Sequence, residues 1–407
     1  MKPQSPAPAT SGPSLLQLVS DHALENLLPI MALRPSKLLL VRSADKSAES
    51  AVANLRAVVP VLAQDPAFKG YQPKIIDLPL SSTTPDIAET RDLIARELIA
   101  NPGTMVNFTG GTKLMSIGAH LAASVFGRAS FTFDHEQMRF VDAHTGRHER
   151  WPELGSLSKH FTPRLLLAIQ GRSLDDYRHE PASDPLRAFG LKAYELRNQH
   201  SAAIEAFIKN LRAQFQTQNG RLPQELEELK TLLAKPLPAG GDPIRFLLTA
   251  TTSAGLTRSD SQGWKLSAAP ERRAIERSLH LLSSGWLELA VLDCLQRNPR
   301  YQLPMWSFEH VKQSGNDSHD ADILCVDTRS NSLRLICCRV TLTRSPAEHL
   351  EGLAARARKL GGAACTFVIY KPAQGQEPLI RSEARRLGID AAIEADEIVK
   401  AFSPHAG

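Results

Sequence analysis

The sequence predicts an α/β protein with two unlike α/β domains separated by a helical segment. Three observations carry this. Short apolar runs alternate with amphipathic stretches over residues 15 to about 142, the pattern of a mainly parallel sheet covered on both faces. From Glu271 a different order begins, with three successive strand signals before the next helix. At 407 residues the chain is also too long for one ordinary domain.

The elements follow in order. Residues 1–14, MKPQSPAPATSGPS, are rich in Pro, Ser and Ala and read as a flexible tail, not a signal peptide. Leu15–Val19 and Lys37–Arg42 are the first two strands, with the mixed stretch ENLLPIMALRP between them. A helix is expected over Ser47–Ala63 and a third strand over Lys74–Leu78. Thr84-Pro85-Asp86 opens a helix that runs to about Ala100, with Pro85 suited to a first turn. Met105–Phe108 is a strand, Lys113–Phe126 a helix, and Ser130–Phe133 with Arg139–Val141 a closing pair.

Residues 162–270 are less regular and read as a helical connector or insert. Helices are expected at Ser201–Gln214 and Leu222–Ala234, before the break KPLPAGGDP. Residues 271–407 then form the second α/β domain. One long helix, ERRAIERSLHLLSSGWLELAVLDCLQR, leads into strands at Gln302–Val311, Ala321–Asp327 and Leu333–Thr341, with Asn331-Ser332 as a tight turn. A helix at Pro346–Leu360, a strand at Thr366–Tyr370, a helix at Leu379–Leu387 and a short strand complete it.

Composition narrows the function classes. The 42% hydrophobic and 22% charged fractions are those of a soluble globular protein, and no apolar stretch approaches the roughly 18–20 residues of a membrane helix. A net charge of +5 tilts weakly toward anionic partners, while 6% aromatics argue against a broad base-stacking platform. Cys294, Cys325, Cys337, Cys338 and Cys365 lack CxxC spacing and read as buried free thiols, which fits a reducing cytoplasm.

The segment MVNFTGGTKLMSIGAH, Met105–His120, carries the most chemistry. A strand ends in Asn107, and the chain turns through Thr109, Gly110, Gly111 and Thr112 into a helix. Adjacent glycines permit a sharp turn and a close approach to a ligand. Thr112 caps a helix whose free N–H groups and partial positive charge favour an anion, and Lys113 adds a full charge. The residues alone fit an anion site or an ordinary tight strand-to-helix turn. The pattern GxxxxGK[ST] is absent, so a nucleoside triphosphatase is not supported.

NFTGGTK resembles the NxTGGTK motif of CARF domains, the CRISPR-associated Rossmann-like fold, especially those joined to a restriction-endonuclease-like nuclease. ENLLPIMALRPSKLLLVRSADKSAESAVANL and ASFTFDHEQMRFVD are similar to flanking parts of that domain, so the resemblance covers most of residues 15–145, within an expected domain of 15–161. It implies a sensor that binds a cyclic oligoadenylate, specifically cyclic tetra-adenylate, across a homodimer. A ligand with two-fold symmetry suits a C2 dimer that presents one loop twice. Asn107, Thr109, Gly110, Gly111, Thr112 and Lys113 carry over as ligand-binding candidates, with Asp21, His22, Arg42 and Ser43 on the matching rim.

The second domain resembles the PD-(D/E)xK nucleases linked to CARF domains. Gly285-Trp286-Leu287-Glu288 is similar to their GWLE element, and HDADILCVD to their metal-binding strand. The resemblance implies Glu288 and Asp322 as catalytic residues and ligands of Mg²⁺ or Mn²⁺, acting on DNA or RNA. It departs at the centre. Where the family reads I-E-C-K, this chain reads Ile336-Cys337-Cys338-Arg339, which puts Cys337 in the Glu position and Arg339 in the Lys position. Cys is a poor partner for Mg²⁺, and Arg cannot act as a base although it can offset phosphate charge. Glu309 and Asp320 are acids that could compensate, and Arg334, Arg344 and Lys359 add basic character. The expectation is a cytoplasmic sensor in CRISPR defence. Its second domain is a nuclease with an altered site or a non-catalytic module; alternatively, the first domain cleaves its own ligand.

Overall fold

In a computed structural model, the chain divides into two compact units, Met1–Leu174 and Asp175–Gly407. The structure describes residues 12–134, 139–146, 157, 159–180, 182–215, 222–223, 225–238, 240–268, 271–310, 321–342, 345–360 and 363–402.

The first unit is a six-stranded sheet. Its strands are β1 (Ser14–Leu18), β2 (Lys37–Arg42), β3 (Lys74–Pro79), β4 (Met105–Asn107), β5 (Ser130–Asp134) and β6 (Arg139–Asp142), in the order β3-β2-β1-β4-β5-β6. The first five are parallel, and β6 closes the edge antiparallel to β5. The central strands are largely apolar because both faces are covered. Leu15, Leu16, Leu18 and Leu38 through Val41 all have 0% exposure. Alternate side chains serve opposite layers. Leu16, Leu18, Leu39 and Val41 pack with Ile94 and Leu98 of α3 (Ile87–Ala100) and with Met115 and Ala119 of α4 (Lys113–Val125). Helices α1 (Ala23–Leu33), α2 (Lys46–Leu62) and α5 (Pro163–Ile169) pack against one another. Asp86 caps α3 by accepting the Glu89 N–H at 2.7 Å.

The second unit is built on the sheet β14-β13-β12-β11-β10-β7. Its strands are β7 (Tyr177–Glu180), β10 (Tyr301–His310), β11 (Ala321–Asp327), β12 (Ser332–Arg339), β13 (Ala364–Ile369) and β14 (Ile389–Ile393). β10, β11 and β12 form an antiparallel meander, and β13 and β14 add in parallel. Around it lie α6 (Asp184–Phe215), α7 (Leu226–Ala234), α8 (Asp242–Ser253), the hairpin β8 (Thr257–Asp260) and β9 (Gly263–Leu266), α9 (Arg272–His280), α10 (Trp286–Arg297), α11 (Pro346–Lys359), α12 (Glu377–Arg386) and α13 (Glu394–Phe402). Helices α6 and α10 come very close at Gly190, where a Cβ would lie 2.4 Å from Leu289 Cβ. Thus the sequence gives way to glycine where two backbones meet.

The α/β class with a parallel-rich first sheet and a second sheet domain stands as expected. Three elements differ in detail. Residues 162–270 are shared between the two units, α5 going with the first and α6 through β9 with the second. The helix expected from Ser201 starts there, after a non-helical kink at His200 (φ −137°, ψ 41°), but it is preceded by a second, unexpected helix that begins at Asp184. The single long helix expected over residues 271–297 is interrupted by a π-turn at Leu281–Gly285. Among the described residues no helix is long and apolar enough to cross a membrane.

Candidate functional site

Two sites take shape, one in each unit. In the first, strand order reverses between β1 and β4, which run side by side while their following helices leave to different layers. The crevice outside the carboxyl ends of such strands is where open α/β sheets bind ligands. The loop after β1, with exposed Asp21 and His22, meets the loop after β4 there. Contact is close at Gly110, where a Cβ would lie 2.5 Å from the Leu18 carbonyl oxygen and 2.9 Å from Ser20 Cβ. Gly111 follows with φ +75°, a left-handed conformation that side chains rarely adopt.

Asn107 and Thr109 build this loop from below. Asn107 is fully buried. Its Oδ1 accepts from the Thr109 N–H at 3.1 Å and from Thr109 Oγ1 at 2.6 Å, and its Nδ2 donates to Gln17 Oε1 at 3.3 Å. Thr109 Oγ1 in turn accepts the Phe133 N–H at 2.8 Å, so β1, β4 and β5 are tied together under the turn. Thr112 caps α4 by accepting the Met115 N–H at 3.3 Å. Gly111, Thr112 and Lys113 are exposed at the mouth of the crevice. The motif thus separates into buried Asn107 and half-buried Thr109, which shape the turn, and Gly111 through Lys113, which are open to an anion.

Arg42 and Ser43 stand one strand away, at the end of β2. Arg42 forms a bidentate pair with Asp77, Nε to Oδ1 at 3.0 Å and Nη2 to Oδ2 at 3.2 Å. The Ser43 hydroxyl donates to the Asp45 carboxylate, which caps α2 by accepting the Ala48 N–H at 2.8 Å. Both candidates are therefore engaged within the unit.

In the second unit, a cleft of about 1310 Å³ brings together Glu288, Asp322 and Arg339, and is lined also by His280, Trp306 and Cys338. Glu288 is only 6% exposed, and both its oxygens are occupied. His280 Nε2 lies 3.0 Å from Oε1, and the Trp306 Nε1–H donates to Oε2 at 3.0 Å. The π-turn makes this possible by changing the helical phase between His280 and Glu288. The site is tight at the end of this turn, where a Cβ at Gly285 would lie 3.1 Å from the His280 ring and push it aside by a few tenths of an ångström. The hydrogen bond to Glu288 raises the His280 pKa above its ordinary value.

Asp322, at the start of β11, accepts the Cys338 N–H at 2.5 Å and Arg339 Nη1 at 2.8 Å. Burial, then the charge of Glu288, pushes its carboxyl pKa upward. Burial pulls the Arg339 guanidinium the other way, but Asp322 outweighs it and keeps that group firmly charged. Cys337 is 2% exposed, and burial with the nearby Asp322 charge pushes its thiol up to about 12. It stays a neutral thiol and not a thiolate ligand.

Arg334 sits apart from the cleft. It is buried with Asp327, Nε to Oδ2 at 3.0 Å, and Arg300 Nη2 reaches the same carboxylate at 2.8 Å. Asp320 and Arg344, and the side chains of Glu309 and Lys359, lie outside the described residues. Among those described, no group of three His, Cys, Asp or Glu side chains could hold a metal ion. Sequence reasoning missed His280 and Trp306. His280 stands eight residues before Glu288, a spacing that faces it on a regular helix only poorly, and nothing local marks Trp306 as its second partner.

No family model matches this chain, and no curated protein matches its sequence. Solved structures do share its fold. Can2 from Sulfobacillus thermosulfidooxidans, solved in complex with cyclic tetra-adenylate, superposes with a TM-score of 0.65 at 17% identity, covering 96% of this chain and 97% of that one. Protein VC1899 from Vibrio cholerae superposes equally well, with a TM-score of 0.65 at 14% identity over 95% of this chain and 97% of that one. A type III CRISPR defence DNA nuclease activated by cyclic oligoadenylate gives a TM-score of 0.45 at 18% identity, over 90% of this chain and 46% of that one.

Proposed function

We propose that this protein is a cyclic oligoadenylate sensor of type III CRISPR defence, with a CARF domain in the first unit and a nuclease-like effector in the second. The observation that carries the reading is the loop Thr109–Lys113. It stands at the topological switch point of the sheet, held by buried Asn107, with Lys113 and the first N–H groups of α4 open to an anion. The fold shared with Can2 over nearly the whole chain supports cyclic tetra-adenylate as the ligand.

A homodimer suits such a ligand. Leu114, Ile117, Leu121 and Val125 are 42–76% exposed and fall on one face of α4 at helical spacing. The stripe begins one residue after Lys113, so a partner packed along it would bring a second loop beside the first. Ligand that prefers one arrangement of the two copies would then bias the effector units.

For the effector, the reading best supported is a cleft that contacts DNA or RNA without a working metal centre. Cys337 and Arg339 replace the family's acid and Lys, and both oxygens of Glu288 and Oδ2 of Asp322 are engaged by protein groups. The test is binding of labelled cyclic tetra-adenylate to the full chain, with supercoiled plasmid, single-stranded DNA and RNA offered in Mg²⁺ or Mn²⁺. Tight messenger binding weakened by Lys113→Ala, with no cleavage, is the expected result. Messenger-dependent cleavage lost in Glu288→Ala would restore the nuclease reading, and absence of messenger binding would end the sensor reading.

A further inference from the structure

The cleft of the second unit has acids where a divalent ion would be held, but both oxygens of Glu288 and Oδ2 of Asp322 are already engaged. Asp322 Oδ2 receives both Arg339 Nη1 at 2.8 Å and the Cys338 N–H at 2.5 Å. A Mg²⁺ ion at about 2.1 Å from that oxygen would have to expel the guanidinium. Glu288 offers no better seat, since His280 and Trp306 take one oxygen each. Cys337, close enough for its thiol to feel the Asp322 carboxylate, presents a soft neutral sulfur.

We infer that this site carries its own cation: Arg339, seated on Asp322, takes the place of a divalent metal, and the native cleft is closed to Mg²⁺ and Mn²⁺. The inference deepens the effector reading and rests on it for what the cleft contacts, but not for the exclusion of the ion. Arg339 Nη1 also donates to the Cys338 carbonyl at 2.7 Å, which fixes the guanidinium plane. Its side chain remains 31% exposed in a cleft also lined by Lys209, Arg212 and Lys371. A planar, permanently charged donor can hold a phosphodiester oxygen pair, but it cannot generate hydroxide from a bound water as a metal does. The site is therefore suited to grip phosphate and not to hydrolyse it through a metal.

The experiment uses the full chain without messenger or nucleic acid. Mn²⁺ is titrated in while free ion is followed by electron paramagnetic resonance and Tm by calorimetry. The native protein is expected to show no saturable binding and no Mn²⁺-dependent rise in Tm. Cys337→Glu/Arg339→Lys is expected to bind one Mn²⁺ per chain, and to lose it when Asp322→Ala is added. Should that double variant fail to fold, Arg339→Ala decides: it leaves Asp322 beside Glu288 without its hydrogen-bonded counter-charge, so its Tm should fall and Mn²⁺ should restore part of it. Saturable Mn²⁺ binding by the native chain that Asp322→Ala abolishes would overturn the inference, as would an Arg339→Ala protein indifferent to Mn²⁺. A failure of the sensor reading would appear in messenger binding, which this titration does not involve.

Discussion

Asn107 holds Thr109 twice, taking its N–H at 3.1 Å and its hydroxyl at 2.6 Å on a single buried amide oxygen. The turn that follows is therefore set before any ligand arrives. Asn107→Ala leaves the Thr109 N–H without its acceptor and should destabilise the first unit by about 1–3 kcal/mol. Messenger affinity should fall about tenfold or more even though Asn107 is too buried to touch the ligand, because a loop that must be ordered on binding binds more weakly. Denaturant unfolding together with calorimetric titration checks both; unchanged affinity in a folded variant would mean that the loop needs no such support.

The exposed stripe on α4 gives a prediction about assembly. Ile117→Asp or Leu121→Asp puts a charge into the middle of the stripe while leaving the buried face of α4 intact. Light scattering should show a shift from dimer to monomer at micromolar protein, with messenger binding weakened in step. A variant that stays dimeric would place the interface elsewhere.

Gly285→Ala should separate His280 from Glu288. The added methyl meets the His280 ring at 3.1 Å and Leu281 Cδ2 at 3.0 Å, so the imidazole must move. Glu288 is the leading cause of the raised His280 pKa, and the variant should return that pKa toward 6.5 in an NMR titration. The sign follows for stability as well. A raised folded-state pKa adds stability below the ordinary histidine value, and that contribution is lost as pH rises through the folded pKa. The native chain should therefore lose stability relative to Gly285→Ala over that range.

Asp45 supplies the acid counterpart. The Ser43 hydroxyl, then the Ala48 N–H and the Ser47 hydroxyl, hold its carboxyl at about 2, below the ordinary 3.8. Its contribution is present above the ordinary value and is lost as pH falls from about 4 toward 2. Asp45→Asn keeps a capping side chain and should flatten the stability of the first unit across that interval; Asp45→Ala should cost about 1 kcal/mol at neutral pH. Thermal melts at several pH values distinguish the two.

Much of the first unit was legible because its code is local. Parallel central strands show up as unbroken apolar runs such as KLLLVR, and the Thr112 cap lies beside the two glycines that mark the turn. The second unit was harder where geometry depends on distant partners. The front half of α6 went unread although its buried residues Leu186, Phe189, Gly190, Ala193 and Tyr194 recur at helical spacing, because charged residues interleave that stripe and its packing partner α10 lies about 100 residues on. The π-turn was invisible because LLSSG fits an amphipathic helix as well as it fits a bulge. Departure from the E-x-K pattern could be read residue by residue, but its consequence needed the Asp322–Arg339 pair to be seen together.

Helix α4 begins at the anion-facing turn and runs 13 residues to Val125, with its apolar stripe along the way. It is a rod about 20 Å long whose near end would meet the proposed ligand and whose length would meet a second copy. A tilt of about 5° at the turn would displace the far end by nearly 2 Å, enough to unseat one set of interdigitated side chains and favour another. In the proposed dimer such a rod would act as a lever, converting a phosphate-sized adjustment at its tip into a change of packing that an entire subunit must follow.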